Sequence, residues 1–417
     1  MNRRHPILLM LAVGVLLIAV MSLIPYTLAR KTVDTQPVSA FLSAQTQEKV
    51  EAKKRRGEPA FDAAAWYALH EEEPENHGVL IETMDGSRLL ASHNADEAFN
   101  PASLIKLATS LVALKKLGAD YRFQTRVFVD GRVDSSGTLQ GMLLVTGDDP
   151  TFGDVGAALI AKELRARGIK NVKGAVAVSQ DFCFNFSDSA EESAARLCKA
   201  LNFTNAEPSL ADGAAGQALF TLDSYPLRDV LLYMNARSSN FIAERIGAHI
   251  GGAEGVQEFL VNELHLPSAE VTIARVSGRE HNRLTPRGLL TVIRALVEEA
   301  ARQNLKPEDI MPVASDDSGT LRRRLAGTGL EGAVVGKTGT LTAEVDGGMA
   351  SLAGIVYTKD AGEVVFVILD QGNHIWEHRQ LEDQLLAEVI TTLATPRVVA
   401  SPTPRQLLSA SGLRISE

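Results

Sequence analysis

Hydrophobic and polar positions divide the chain into blocks of different period, and the first block has no period at all. Residues Pro6 to Ala29 read PILLMLAVGVLLIAVMSLIPYTLA without a charge, long enough to cross roughly 30 Å of hydrocarbon as a helix. The apolar core of a cleavable signal peptide runs to only about 7 to 15 residues, so residues 1–29 are expected to form an uncleaved N-terminal transmembrane helix. Were the segment cleaved instead, Thr27-Leu28-Ala29 would be the site. Arg3 and Arg4 precede the segment while Arg30 and Lys31 follow it, so flanking charge does not decide its orientation. Residues 30–76 then carry QTQEKVEAKKRRGEP and HEEEPEN, charge-dense runs that read as a solvated linker with room for a short helix.

Patterned sequence starts at His77. GVLIETMDGSRLLASH predicts two strands about an Asp85-Gly86 turn, and NPASLIKLATSLVALKKLG places apolar residues at helical spacing up to Gly118. YRFQTRVFVDG, LQGMLLVTGDDP and VKGAVAVSQDF read as strands separated by turn signals. Helical patterns follow in LRDVLLYMNA, SNFIAERIGAHI and TPRGLLTVIRALVEEAARQN, and three late strands (GAVVGKTGTLT, GGMASLAGIVYT, GEVVFVILDQG) precede a helix over 376–394. Helices mixed with an antiparallel sheet predict an α+β fold. The tail, SPTPRQLLSASGLRISE, reads as loose.

Composition narrows the function. The 417 residues hold 42 Lys plus Arg against 51 Asp plus Glu, a net charge of −9, which argues against nucleic acid as a partner. Two cysteines, Cys183 and Cys198, are too few for a disulfide scaffold and lack metal-ligand spacing, although they could form one bridge outside the cytosol. His374 and His378 share a helix face at i, i+4, but without a third ligand they read as surface residues. Asp148-Asp149 reads as turn chemistry between Gly147 and Pro150, and Arg322, Arg323 and Arg324 as a solvated charge run.

Three short motifs carry chemistry. In Ser103-Leu104-Ile105-Lys106 the i and i+3 positions bring a hydroxyl and an amine to one side of a helix, and Asn100-Pro101 predicts the helix start, near the positive end of the dipole. Such a motif occurs by chance about once in a chain this long. Ser238-Ser239-Asn240 falls in a loop between two helices, where alone it would be an N-cap. Lys337-Thr338-Gly339-Thr340 lies in a strand pattern, where the glycine admits another backbone and the lysine presents a fixed cation.

In this order, S-x-x-K, S-x-N and K-T-G are the signature of penicillin-binding proteins and serine β-lactamases. The stretches GMLLVTGDDPTFG, ARGIKNVKGAVAVS, SGREHNRLTP, DSGTLRRRL and GKTGTLTAEVDGGMASLAGIV further resemble the class C low-molecular-mass penicillin-binding proteins, the D-alanyl-D-alanine carboxypeptidase/endopeptidase family. The resemblance implies a split penicillin-binding (β-lactamase/transpeptidase-like) domain over 77–120 and 225–396, with antiparallel sheet flanked by helices. It also implies an inserted, mainly β subdomain over 121–224 and leaves a flexible tail over 397–417. Only 135 residues separate Ser103 from Ser238, less than is usual in that family, so one accessory subdomain is expected to be reduced or missing. RVSGREHNRLTP also departs from the family's Asp-Gly-Ser-Gly start.

By resemblance, Ser103 is the nucleophile and Lys106 its base, with burial and the cation of Lys337 lowering the Lys106 pKa. Ser238 relays a proton, Asn240 orients Lys106, and Thr338, Gly339 and Thr340 join Lys337 in binding substrate. The implied reaction cleaves peptidoglycan stem peptides through an acyl-serine, needs no metal or cofactor, and is blocked covalently by β-lactam antibiotics. It places the bulk of the chain in the bacterial periplasm. A β-lactamase is the nearest rival, and Glu258 and Asn262 repeat the spacing of a class A deacylation pair, although they sit in an ordinary amphipathic helix pattern. A membrane-tethered penicillin sensor without turnover is the other.

Overall fold

The computed structural model describes residues 57–203, 205–213, 215–399, 408 and 410–416. The segment read as a transmembrane helix and most of the linker lie outside these residues. Among the described residues no helix is long and apolar enough to cross a membrane.

The first sheet has five antiparallel strands, β1 (His77–Thr83), β2 (Leu89–His93), β8 (Val334–Leu341), β9 (Met349–Tyr357) and β10 (Glu363–Gln371), in the order β2-β1-β10-β9-β8. Strand alternation divides its residues between two cores. Val365, Val367 and Leu369 pack with the helices α2 (Ile105–Leu117), α5 (Leu227–Arg237), α6 (Asn240–Ile250), α7 (Gly252–Asn262) and α8 (Pro286–Arg302). Val364, Phe366 and Ile368 face α1 (Ala63–Leu69) and α9 (Ile375–Leu393). The outcome is a sheet between two helical layers, with α2 buried along nearly its whole length. Local chemistry sets the helix ends. Thr285 caps α8 by accepting the Gly288 N–H at 2.9 Å ahead of Pro286, and Gly118, at φ 85°, ends α2.

The second sheet contains β3 (Gln124–Val133), β4 (Thr138–Thr146), β5 (Asn171–Val178), β6 (Ala206–Leu210), β7 (Gln217–Asp223) and β11 (Arg414–Ser416), in the order β11-β7-β3-β4-β5-β6. Here the structure departs from the sequence reading. Strands β4, β5 and β6 run parallel, and parallel neighbours need crossovers. These are the helices α3 (Asp154–Ala166) and α4 (Ala190–Leu201), so residues 121–224 are mixed α/β rather than mainly β.

Two further expectations change. Part of the stretch assigned to the linker belongs to the core: Ala63, Trp66 and Tyr67 are buried, Trp66 Nε1 donates to Glu388 at 2.7 Å and Tyr67 Oη to Asp370 at 2.7 Å. The tail is not loose at its far end, because Arg414–Ser416 pairs with Thr221–Asp223 of β7 and Arg122 donates to the Gly412 carbonyl at 2.7 Å.

Candidate active site

Ser103 stands in a 3-10 turn, Ala102–Leu104, that leads directly into α2. Asn100 sets the turn by accepting the Ala102 N–H at 3.1 Å, and Ala102 takes the left-handed conformation, φ 49°, that aims the next residue outward. Lys106 follows one turn later and is fully buried. Its Nζ lies 3.0 Å from Ser103 Oγ and 2.7 Å from Asn240 Oδ1. A third partner is the Ser277 carbonyl, which also lies 3.4 Å from Ser103 Oγ.

Between α5 and α6 the chain reverses over two residues. Ser238 ends α5 in a left-handed conformation, φ 52°, and Ser239 caps α6 by accepting the Ile242 N–H at 3.3 Å, leaving Asn240 as the first helical residue, directed at Lys106. Ser239 is therefore the cap, while Ser238 accepts from Lys337 Nζ at 2.9 Å. Lys337 is also fully buried and donates to the Thr338 carbonyl at 2.5 Å. Gly339 lets β8 lie against the turn that carries Ser103: a Cβ there would sit 2.9 Å from the Ala102 Cβ and 3.0 Å from the Pro101 carbonyl oxygen. Ser351 of β9 fastens the same turn by donating to Pro101 O at 3.2 Å. Thr338 is buried beside Lys337, and Thr340 is exposed at the strand's open side.

The electrostatics differ in detail from expectation. Burial lowers Lys106 to about 7, opposed by the carboxylate of Glu244 and aided by the cation of Arg279. Lys337 is pushed well below the ordinary lysine value by burial, and then by Lys106. Lys106 thus adds to the lowering of Lys337, while Arg279 supplies the cationic contribution at Lys106 that was expected from Lys337.

All three motifs therefore meet, and the structure adds residues that no motif marks. Ser277 acts through its carbonyl. Gly278 (φ 88°) lets that loop pass close to Ser103, since a Cβ would sit 2.8 Å from Ser103 Cα. Asp346, in the β8–β9 connection, accepts both Nη atoms of Arg283 (2.8 and 3.0 Å), His281 Nδ1 (2.9 Å) and Asn100 Nδ2 (2.6 Å). It ties three loops around the site.

Comparison with known proteins decides the family. The model of the D-Ala-D-Ala carboxypeptidase 3 (S13) family matches residues 64–193 and 204–391. The chain belongs to this family. Among its relatives, the D-alanyl-D-alanine carboxypeptidase of Actinomadura sp. (strain R39) is 35% identical over 96 residues, 23% of this chain. The D-alanyl-D-alanine carboxypeptidase DacB of Haemophilus influenzae is 30% identical over 105 residues, 24% of this chain. These stretches span only 18% and 21% of the two relatives' lengths. Solved structures share the fold of this S13 member. A predatory endopeptidase of Bdellovibrio bacteriovorus, solved with an immunity protein, superposes with TM-score 0.67 at 18% identity, covering 81% of this chain and 99% of the other. Penicillin binding protein 4 of Haemophilus influenzae gives 0.59 at 18%, covering 74% and 96%.

The other residues singled out in the sequence lie elsewhere in the S13 fold. Glu258 and Asn262 are exposed on α7. His374 is exposed, but His378, read as a surface residue, is buried against Glu72, 3.5 Å away. Of the arginine run, Arg322 and Arg323 are exposed while Arg324 is buried and paired with Glu382 and Asp383, each at 2.7 Å. Asp149 closes its turn by accepting from Thr151 N at 2.8 Å. Cys183 and Cys198 are unpaired buried thiols.

Proposed function

We propose that this S13 member is a serine D-Ala-D-Ala carboxypeptidase, also able to cut D-alanyl cross-links, that acts on peptidoglycan stem peptides. The observation that carries the reading is the Ser103–Lys106 pair: a nucleophile 3.0 Å from an amine that burial holds near 7, so that a large fraction is neutral at physiological pH. Ser103 Oγ attacks the carbonyl between two D-alanines and Lys106 takes its proton. The backbone N–H groups of Ser103 and Thr340 receive the developing oxyanion. The proton held on Lys106 is relayed through Ser238, itself held by Lys337, to the departing amine, and water then hydrolyses the ester, its hydroxyl going to the shortened peptide and its proton back to Ser103 Oγ. A substrate carboxylate arriving at Lys337, Thr338 and Thr340 favours the charged form of Lys337, which gives the site its preference for a free C-terminus. A solved Bdellovibrio relative carries a penicillin G acyl group, and the same Ser103 chemistry is proposed to take β-lactams here.

In this reading the first sheet and its helices are the split penicillin-binding domain, and the second sheet is its insertion. The substrate lies outside the cytoplasm, so the chain is proposed to work in the periplasm, held at the inner membrane by its N-terminal segment. The test incubates the full chain, and Ser103→Ala, with fluorescent penicillin and with a stem pentapeptide. A Ser103-dependent label together with released D-alanine is expected. A stable label without D-alanine would indicate a sensor or a dedicated endopeptidase, and rapid drug hydrolysis a β-lactamase.

A further inference from the structure

Glu244 lies one helical turn beyond Asn240 on α6, so the two side chains share a face. Glu244 Oε1 accepts the backbone N–H of Ser277 at 3.2 Å. The carbonyl of that same residue is the one that accepts from Lys106 Nζ and faces Ser103 Oγ. The Ser277 backbone is therefore gripped on both sides, by Glu244 at its N–H and by the Ser103–Lys106 pair at its C=O. Gly278 leaves no slack in the loop, because it passes directly over Ala102 and Ser103.

The geometry has a chemical consequence. A neutral lysine amine has two hydrogens and one lone pair. Two of the three partners around Lys106 Nζ, Asn240 Oδ1 and Ser277 O, can only accept. They take the two hydrogens, and the lone pair is left facing Ser103 Oγ, where a proton must be collected. Asn240 and Ser277 together thus aim the base, and Glu244 is what keeps Ser277 in place. Charged groups surround this arrangement: Lys337 on β8, Arg279 on the loop beyond Gly278, and Arg275, an exposed cation paired with Glu280 at 3.1 Å that also feels the charge of Glu244.

We propose that Glu244 is a positioning residue for acylation, holding the Ser277 carbonyl that orients the Lys106 lone pair toward Ser103 while placing an acidic charge opposite the amine. This rests on the acyl-serine reading above. The test follows acylation of the full chain by fluorescent penicillin between pH 5 and 9, as roughly the range that brackets a lysine lowered this far, for wild type, Glu244→Gln and Glu244→Ala. Glutamine still offers an oxygen to the Ser277 N–H but no charge. Its plateau rate is expected to stay within about threefold of wild type, and its acid limb to move down by about one pH unit, because the ammonium form of Lys106 loses its counter-charge. Alanine removes the acceptor, and the plateau rate is expected to fall at least about tenfold. An acid limb unmoved in Glu244→Gln, or a wild-type plateau in Glu244→Ala, overturns the proposal. If Glu244→Ala fails to fold, the limb of the near-isosteric Glu244→Gln decides alone. A wild-type chain that penicillin does not label would instead refute the acyl-serine reading itself.

Discussion

A Cβ on Gly339 would stand 2.9 Å from the Ala102 Cβ, so the strand that would hold substrate and the turn that presents Ser103 have no room for another carbon atom between them. Every heavier residue at 339 must displace Ser351 Oγ, closer still to such a Cβ, and press on the turn that carries Ser103.

Gly339→Ala is accordingly expected to slow penicillin acylation by about a hundredfold, from displacement of reacting groups on the order of an ångström, and to cost about 1–3 kcal/mol of stability through overpacking. Acylation kinetics and thermal melting measured on the same preparation check both. A variant acylated at the wild-type rate would show that the strand and the turn move independently.

The wild-type acylation rate should rise with pH through about 7, as Lys106 loses its proton. Stability follows the same group. The folded pKa lies below the unfolded value of 10.5, so between these values the unfolded chain binds more protons than the native one, and Lys106 contributes a rise in stability with pH across that window. Comparing the pH profiles of rate and melting temperature in wild type and Lys106→Met isolates both effects, and the variant should lose the rate limb together with this part of the stability slope.

Arg324 is a buried cation whose partners, Glu382 and Asp383, both lie on α9. Removing it leaves Glu382, which has no exposure to solvent, without its counter-charge. Arg324→Ala is expected to destabilise the protein by about 3–5 kcal/mol, read as a lowered denaturation midpoint. Lys at the same position should recover only part of this, since it cannot span two carboxylates with one planar group.

Deleting residues from 414 onward removes β11 and uncovers the edge of β7. Limited proteolysis should then cut faster within the second sheet, while Ser103 keeps its reactivity toward penicillin because the first sheet retains every strand. Loss of acylation would mean that the second sheet supports the site more directly than its contacts indicate.

What could be read from the chain in advance was chemistry carried by side chains at short spacing. Ser103 with Lys106, Ser238 with Asn240, and Lys337 with Gly339 are legible because each motif confines its members to one turn or one strand, and the α+β pattern around them is periodic enough to follow. Ser277 was invisible for the opposite reason: it contributes a carbonyl, which every residue has. Arg324 and His378 looked like solvated charge because the groups that bury them lie on distant segments, Glu382 in one case and Glu72 in the other. Trp66 and Tyr67 were hidden by the charge-dense sequence on either side of a helix only seven residues long. The crossover helices α3 and α4 passed unnoticed among strong strand signals, and only the parallel pairing of β4, β5 and β6 makes them necessary.

The position of β11 bears on how such a chain is made. A polypeptide emerges N-terminus first, and β3 and β7 follow each other out within about a hundred residues, yet the strand that covers β7 is Arg414–Ser416. The first sheet has the same property, since His77–Thr83 waits for Val364–Asp370 before it gains its central neighbour. Neither sheet is complete until a strand far along the chain has been made. Until then the edges of β1 and β7 stay open, and pairings of such long range form slowly once they are possible.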